Sequence, residues 1–176
     1  MIGLRSRPLA GAAALLLVIL AGGCRTDSAP LDDGGRRAEI GRLSDQIADR
    51  YPEVPEVDRA ALLRLSGPPV LVDVRSAEER AVSGLEGAIS VEEYEAGGWE
   101  ARTVVAYCTV GERSGRFARE LRARGVDARN LRGGVLSWAH EGGSVVSADG
   151  RPTRRVHVYG PRWDLLPRGW EGVYRD

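Results

Sequence analysis

The chain of 176 residues contains no lysine, and its 25 basic residues are all arginines. The absence of lysine excludes nucleotide binding through a P-loop lysine and chemistry through a Schiff base. Two cysteines and two histidines are too few for a cysteine-rich structural zinc site or for a disulfide framework. A formal net charge of zero gives no general attraction to nucleic acid, so we expect no nucleic-acid partner. The positions of the two cysteines, Cys24 and Cys108, are more informative than their number.

The first cysteine follows a segment that is typical of an export signal. Arg5 and Arg7 precede an uncharged apolar run over residues 9–23, which has 15 residues. As a helix this run would span about 22 Å, short of the ~30 Å hydrocarbon core of a bilayer. A basic start, a short apolar run and small residues before a cleavage point characterise secretory signals, so we predict a signal peptide over residues 1–23.

The residues around Cys24 give this cysteine a more specific interpretation. The segment Leu20-Ala21-Gly22-Gly23-Cys24 resembles the lipobox of bacterial lipoproteins. The resemblance implies that Cys24 becomes the lipidated first residue of the mature chain and attaches it to the extracytoplasmic face of a bacterial membrane, at the cell envelope. Two or more acyl chains anchor a protein stably. The alternative is an ordinary signal peptide, which leaves the protein secreted or periplasmic.

Composition divides the rest of the chain into four segments. Residues 24–35 carry Asp, Ser, Pro and Gly with a single Leu, which predicts a flexible tether after the lipidated N-terminus. In residues 36–53 the apolar side chains of Ile40, Leu43 and Ile47 recur at three- and four-residue steps and predict a helix that Pro52 stops. Residues 54–143 form the predicted domain. Residues 144–176 are too apolar for a free tail, so we expect this C-terminal extension to pack on the domain.

Two apolar runs predict the central strands of that domain. Residues 70–74 and 103–107 are nearly continuous in apolar side chains, which suits strands that are buried on both faces of a parallel sheet. Helical patterns follow both runs, and a weaker strand pattern covers residues 128–131. Strands that alternate with helices predict an α/β fold, with a central parallel sheet flanked by helices on both faces.

Cys108 stands at the carboxyl end of the second predicted strand, before a loop that leads into a helix. Ligands of open α/β sheets bind at such strand ends. Successive loop amides and a helix N-terminus stabilise negative charge, and Arg113 lies close by in sequence. Gly111 allows the backbone to turn tightly. Cys108 is therefore expected to react as a thiolate, whereas a buried inert cysteine is the alternative.

Four short motifs, in this order and spacing, resemble those of the rhodanese family. The resemblance covers about half of the chain, from residue 54 to residue 143. Its motifs are Leu71-Val72-Asp73-Val74-Arg75, Gly87-Ala88-Ile89, Val105-Ala106-Tyr107-Cys108 with Gly111, Arg113 and Ser114, and Leu131-Arg132-Gly133-Gly134-Val135-Leu136-Ser137-Trp138. The resemblance implies a rhodanese-like α/β fold and a sulfurtransferase activity. In that chemistry a sulfane sulfur passes from a donor to the loop cysteine, and then to a thiol or cyanide acceptor.

The resemblance also implies roles for the residues of the loop. Cys108 would carry the persulfide, and Arg113 with the loop amides would stabilise its charge. The implied substrate-binding loop consists of Thr109, Val110, Gly111, Glu112 and Ser114. No cofactor and no metal is implied, because the sulfur on Cys108 is itself the reactive group. The implied partners are a small sulfur donor (thiosulfate, a persulfide or a protein thiol) and a thiol acceptor.

The length and the charge of the loop narrow the range of reactions and sulfur donors that we expect for this site. Four residues separate Cys108 from Arg113, as in the sulfurtransferase loop, whereas the related phosphatases and arsenate reductases have five, which disfavours phosphatase activity. Glu112 places a carboxylate inside the loop, where it should repel a dianion such as thiosulfate, although Arg113 beside it compensates. Thiosulfate is therefore no better supported as the donor than a persulfide or a protein thiol.

The remaining polar and aromatic residues receive structural interpretations. Asp73 and Arg75 are predicted to form an ion pair or a hydrogen-bond network that fixes the turn after the first central strand. His140 and His157 have no metal-ligand partner at suitable spacing, and the four tryptophans are expected to be core and tail anchors. Two alternatives to a sulfurtransferase stay open, namely a rhodanese-like binding module without turnover and a thiol-redox sensor.

Overall fold

The computed structural model of this protein describes residues 30–99 and 101–174. The predicted signal peptide over residues 1–23, the predicted lipidation site Cys24 and residues 25–29 of the predicted tether lie outside these residues. None of the described helices is long and apolar enough to cross a membrane.

The first helix begins earlier than predicted. Helix α1 covers Asp33–Arg50 rather than residues 36–53. Its start is fixed by Asp32, whose carboxylate accepts a hydrogen bond from the backbone N–H of Gly35 at 2.7 Å and so satisfies one of the free donors of the first turn. The prediction of a flexible tether up to residue 35 was therefore wrong for its last residues, since residues 33–35 belong to α1 and Asp32 caps it.

Five parallel strands form the central sheet, in the order β1-β5-β4-β2-β3. Their bounds are β1 Glu56–Val57, β2 Val70–Asp73, β3 Ile89–Ser90, β4 Val104–Tyr107 and β5 Ala128–Leu131. All four residues of β4, at the centre, are 0% exposed, so both faces of the sheet are covered there. The predicted α/β fold with a central parallel sheet is confirmed, and the two strongest apolar runs are its central strands.

Five further helices connect or follow these strands: α2 Arg59–Leu62, α3 Ala77–Val82, α4 Val91–Glu95, α5 Glu112–Ala123 and α6 Gly134–His140. Local capping explains where α3 and α4 begin. Ser76 with Glu79 and Ser90 with Glu93 form capping boxes, in which each serine hydroxyl accepts from the glutamate N–H and each glutamate carboxylate accepts from the serine N–H.

The C-terminal extension packs on the domain through two small sheets. Strands β6 (Val145–Val146) and β7 (Pro152–Thr153) are antiparallel, whereas β8 (Arg155–His157) and β9 (Glu171–Val173) are parallel. A 3₁₀ helix, Pro161–Trp163, lies between β8 and β9. Five apolar side chains of the extension are buried in the core, namely Val145, Val156, Val158, Leu165 and Leu166.

Candidate active site at Cys108

Cys108 follows β4 directly and is 2% exposed. Its sulfur accepts a hydrogen bond from the backbone N–H of Gly111 at 3.2 Å. The hydroxyl of Ser114 lies 3.6 Å from the same sulfur. The loop therefore curls around Sγ and presents donors to it, which is the arrangement that stabilises a thiolate or a persulfide anion.

Gly111 is the N-cap of α5 and has φ of +115°. This backbone conformation strongly favours glycine. A Cβ atom at this position would also lie 3.2 Å from Nδ2 of Asn130. Helix α5 has 12 residues, and the positive end of its dipole faces the loop that holds Cys108. The conformation of Gly111 thus joins the sulfur-binding loop to the helix N-terminus.

Helix α6 holds the other side of the loop. The N–H of Val135 donates to the carbonyl oxygen of Cys108 at 3.0 Å, and that of Leu136 donates to the carbonyl of Thr109 at 3.2 Å. This contact requires glycine at position 134, since a Cβ there would lie 2.3 Å from the Cys108 carbonyl oxygen. The Gly133-Gly134 pair of the sequence motif therefore allows two backbones to approach each other at the site.

Asn130 holds the Cys108 loop in place through its side chain, and it was not identified from the sequence. It lies on β5, is 2% exposed, accepts a hydrogen bond from the Ser114 hydroxyl at 2.7 Å and donates to the Gly111 carbonyl at 3.2 Å. A buried amide that makes both bonds holds the two loop residues that contact the sulfur. The available signal was an uncharged polar residue, Asn130, inside the predicted strand over residues 128–131.

Arg113 has a partner that the sequence interpretation did not assign to it. Its guanidinium donates to the two carboxylate oxygens of Glu79 at 2.6 and 2.7 Å. Burial opposes ionisation of Glu79. The hydrogen bonds from Arg113 and from the Ser76 N–H, together with the charges of Arg113 and Arg75, outweigh it and lower the pKa of Glu79 to about 2. The pKa of Arg113 is raised, chiefly by Glu79, with a smaller contribution from the sulfur of Cys108. Arg113 is thus paired with Glu79 rather than reserved for the sulfur.

Glu112 lies at the rim of the site, and its compensating cation differs from the predicted one. One carboxylate oxygen forms an ion pair with Arg50 at 2.8 Å, and the other accepts a hydrogen bond from the Tyr51 hydroxyl at 2.9 Å. The predicted compensation by Arg113 was wrong, because Glu79 holds that guanidinium. Both oxygens of Glu112 are occupied by α1 and its C-cap, which reduces the predicted repulsion of anions.

Asp73 and Arg75 form a buried ion pair at 2.6 Å. The Tyr107 hydroxyl donates to the same Asp73 carboxylate at 2.6 Å, and Arg75 also donates to the carbonyl of Ser83. Burial raises the pKa of Tyr107, and the Asp73 charge raises it further. The network ties the carboxyl end of β2 to that of β4, directly before Cys108, and so supports the position of the loop.

A cavity of about 320 Å³ opens over the loop. The loop contributes Cys108, Thr109, Val110, Glu112 and Arg113, and the C-terminal extension contributes Tyr159 and Trp163. The cavity thus brings together most of the predicted loop residues, whereas Gly111 and Ser114 lie beneath it, against the sulfur. Trp163 was expected to be only an anchor, and its place in the cavity wall is a finding that no local sequence pattern indicated.

Residues 58–141, a little under half of the chain, match the family model described as Rhodanese-like domain. These residues contain the sheet strands β2 to β5 and the whole Cys108 loop. Over these residues the chain is similar to a rhodanese-like domain, and the five-stranded parallel sheet with its helices is the α/β arrangement that the resemblance implied.

A curated relative and two solved structures are similar to this chain. A tRNA sulfurtransferase from Desulfurococcus amylolyticus is 40% identical over 75 residues, which are 42% of this chain and 16% of that protein. The chain therefore matches only a small part of this relative. A polysulfide-sulfur transferase from Wolinella succinogenes is 18% identical with a TM-score of 0.48, over 66% of this chain and 94% of that chain. A thiosulfate sulfurtransferase from Pseudomonas aeruginosa is 18% identical with a TM-score of 0.48, over 74% and 28%.

Proposed function

We propose that this protein is a sulfurtransferase that carries a sulfane sulfur as a persulfide on Cys108 and passes it to a thiol or cyanide acceptor. The observation that carries the proposal is the position of Sγ, which accepts from the Gly111 N–H at 3.2 Å at the N-terminus of α5. The match of residues 58–141 to the rhodanese-like domain model supports the same conclusion.

The first half of the reaction loads the cysteine. The Cys108 thiolate attacks the outer sulfur of the donor, a sulfur–sulfur bond forms, and the donor's own bond to that sulfur breaks. With thiosulfate the leaving group is sulfite; with an organic persulfide it is a thiolate. The leaving group departs with the bonding electron pair, so no external oxidant or reductant is needed.

The second half discharges the cysteine. A thiolate or cyanide attacks the outer sulfur of the Cys108 persulfide and removes it as a new persulfide or as thiocyanate. The Cys108 thiolate is the leaving group, and the donors around it, the Gly111 amide and the Ser114 hydroxyl, stabilise the returning charge. Arg113 contributes positive charge at the rim while Glu79 fixes its orientation.

The proposal is tested by following thiocyanate formation from a sulfur donor and cyanide. Wild-type protein is expected to turn over, and Cys108→Ser is expected to lose all turnover, because serine cannot hold the transferred sulfur. Circular dichroism of the serine variant provides the folding control. Donor binding without turnover by the wild-type protein would favour the binding module, and a sulfenic acid that forms without any sulfur donor would favour the redox sensor.

We also propose that Cys24 is lipidated and that the domain lies at the cell envelope. The support is the segment 20–24 and the apolar run before it. Expression of the full chain in a bacterium should place wild-type protein in the membrane fraction, and Cys24→Ser should move it to the soluble fraction or leave it with an uncleaved signal peptide. Release of the wild-type protein into the soluble fraction would contradict the anchor.

A further inference from the structure

Two aromatic side chains in the wall of the Cys108 cavity have no role in the transfer steps described above. Tyr159 is 76% exposed, and Trp163 is half-buried. Both belong to the C-terminal extension, outside the residues 58–141 that match the rhodanese-like domain model. Large aromatic side chains left accessible beside a reactive atom are typical of a wall that contacts the carbon part of a ligand.

The extension holds this wall in a defined place. Val158, directly before Tyr159, is 0% exposed, and its N–H donates to the Val173 carbonyl at 2.8 Å. Behind Trp163, Leu166 is 1% exposed, and the Leu165 carbonyl lies 2.8 Å from Nε2 of His140 on α6. Because the chain is anchored on both sides, the aromatic wall loses little conformational freedom when a ligand binds.

The charged residues of the cavity favour a donor of low charge. Glu112 and Arg113 are the charged residues among those that line it, and each already has an ion-pair partner, Arg50 and Glu79 respectively. No unpaired side-chain cation therefore lines this cavity within residues 30–99 and 101–174. A dianion such as thiosulfate would have to be stabilised mainly by the loop amides, in competition with the Cys108 thiolate for the same donors.

The size of the cavity limits the carbon part of the donor. About 320 Å³ is at the small end of the range for ligand pockets, which is roughly 300–1,000 Å³. This volume accommodates a small molecule with one ring or a short aliphatic chain next to its reactive sulfur.

Three features carry the inference: the accessible aromatic wall, the paired charges of the cavity and its small volume. We infer that Tyr159 and Trp163 select a small organic sulfur donor with an apolar substituent and at most one negative charge, in preference to thiosulfate. The inference rests on the proposed sulfurtransferase function and deepens it by naming the donor class. In the transfer step the Cys108 thiolate attacks the outer sulfur, and the organic part leaves as a thiolate or a sulfinate with the bonding electron pair.

Two thiosulfonates provide matched probes of the wall. Benzenethiosulfonate and methanethiosulfonate carry the same single charge and release a sulfinate in the same step, but one has a phenyl ring where the other has a methyl group. The measured quantity is the ratio of kcat/KM for the phenyl donor to that for the methyl donor, with cyanide as acceptor. Comparing this ratio between variants cancels the intrinsic reactivities of the two donors.

Tyr159→Ala and Trp163→Ala are each expected to lower this ratio by about fivefold to tenfold, the effect of removing part of an apolar pocket. Tyr174→Ala is the control, because Tyr174 is an aromatic residue of the same extension that is not among those lining the cavity. Trp163 packs against the core, so its variant requires a check of folding. Tyr159 is largely exposed, and its variant keeps the test valid if Trp163→Ala unfolds.

Tyr159→Arg tests the charge preference of the cavity. It adds an unpaired cation to the wall and is expected to raise kcat/KM for thiosulfate several-fold while it lowers the value for benzenethiosulfonate. An unchanged phenyl-to-methyl ratio in folded Tyr159→Ala, or an equal loss with both donors, would overturn the inference and leave the sulfurtransferase function intact. If no donor loads Cys108 at all, the proposed function fails and the inference fails with it.

Discussion

The carboxylate of Glu79 accepts hydrogen bonds from both terminal nitrogens of Arg113, at 2.6 and 2.7 Å. Glu79 is 4% exposed and lies in the capping box of α3, so its position is fixed by the helix start. The pair orients the guanidinium at the rim of the Cys108 cavity and neutralises part of its charge. Stabilisation of the sulfur consequently depends more on the backbone amide of Gly111 and on the N-terminus of α5 than the loop sequence alone indicates.

Acid should weaken the fold through Glu79. Its pKa is lowered to about 2 in the folded protein, from an ordinary value of 4.5. The Glu79 carboxylate therefore binds a proton more weakly in the folded state than in the unfolded chain. Its contribution to the free energy of unfolding is complete above about pH 4.5 and is lost as the pH falls toward 2. We expect it to be on the order of 2 kcal/mol, less than the full shift implies, since Arg113 is 31% exposed.

Urea unfolding of wild-type protein and Glu79→Gln across this pH range measures the effect. The variant should be less stable at neutral pH and should show a weaker dependence on pH. Glu93→Gln is the matched control, because Glu93 holds the same capping-box position in α4 without taking part in the Arg113 pair. Parallel pH profiles for wild-type protein and Glu79→Gln would show that Glu79 does not carry the effect.

Gly111→Ala should damage both stability and activity. The alanine would have to adopt φ of +115°, at a cost of about 1–2 kcal/mol, and its Cβ would press on Asn130 at 3.2 Å. The amide that donates to Sγ would move, so thiocyanate formation should fall more than tenfold. Gly125→Ala has a similar backbone strain, with φ of +82° and open space around the Cβ, and should keep its activity. Equal activity losses in the two variants would contradict the role of Gly111.

Gly134→Ala should be more destabilising still. Its Cβ would lie 2.3 Å from the carbonyl oxygen of Cys108 and 2.6 Å from that of Thr109, and neither backbone can move without breaking the bonds between the loop and α6. We expect a loss of about 3 kcal/mol or more in the free energy of unfolding. Gly142→Ala, at the other end of α6, meets nothing within 4 Å and should lose only about 1 kcal/mol. Similar losses for both, measured by thermal or urea unfolding, would contradict the close approach.

Arg50→Gln should reduce reactivity toward anionic donors. It removes the ion-pair partner of Glu112 at 2.8 Å and leaves a carboxylate at the rim with only the Tyr51 hydroxyl. We expect loading by thiosulfate to fall several-fold and to recover at high salt, because the repulsion is screened. In the double variant that combines Arg50→Gln with Glu112→Gln, loading by thiosulfate should return to the wild-type level. A salt-independent loss that persists in the double variant would exclude electrostatic repulsion as the cause.

Local sequence patterns were sufficient to predict the central strands that position the site. Nearly continuous apolar runs predicted β2 and β4 because a strand buried on both faces has no polar positions. The starts of α3 and α4 are also set locally, at the capping boxes of Ser76 and Ser90, since both partners of each box lie within one helical turn. Cys108 could be located for the same reason, because it directly follows β4 in the chain.

The parts that the sequence did not predict depend on contacts between distant residues. Glu79 and Arg113 are separated by 34 positions in the sequence, and Asn130 and Ser114, which form a hydrogen bond, are separated by 16 positions. Tyr159 and Trp163 reach the cavity only because the extension folds back onto the domain. The start of α1 was misplaced for a local reason, since Gly34 and Gly35 are poor helix formers and the Asp32 cap outweighed them.

The mass of the peptide that contains Cys108 tests the central claim most directly. Folded protein is incubated with benzenethiosulfonate or an organic persulfide, digested without reductant, and measured before and after cyanide is added. We predict a gain of one sulfur atom on Cys108, complete loss of that sulfur with cyanide, and no gain in Cys108→Ser. An unchanged mass of this peptide in folded protein with these donors and with thiosulfate would contradict a persulfide-based sulfurtransferase.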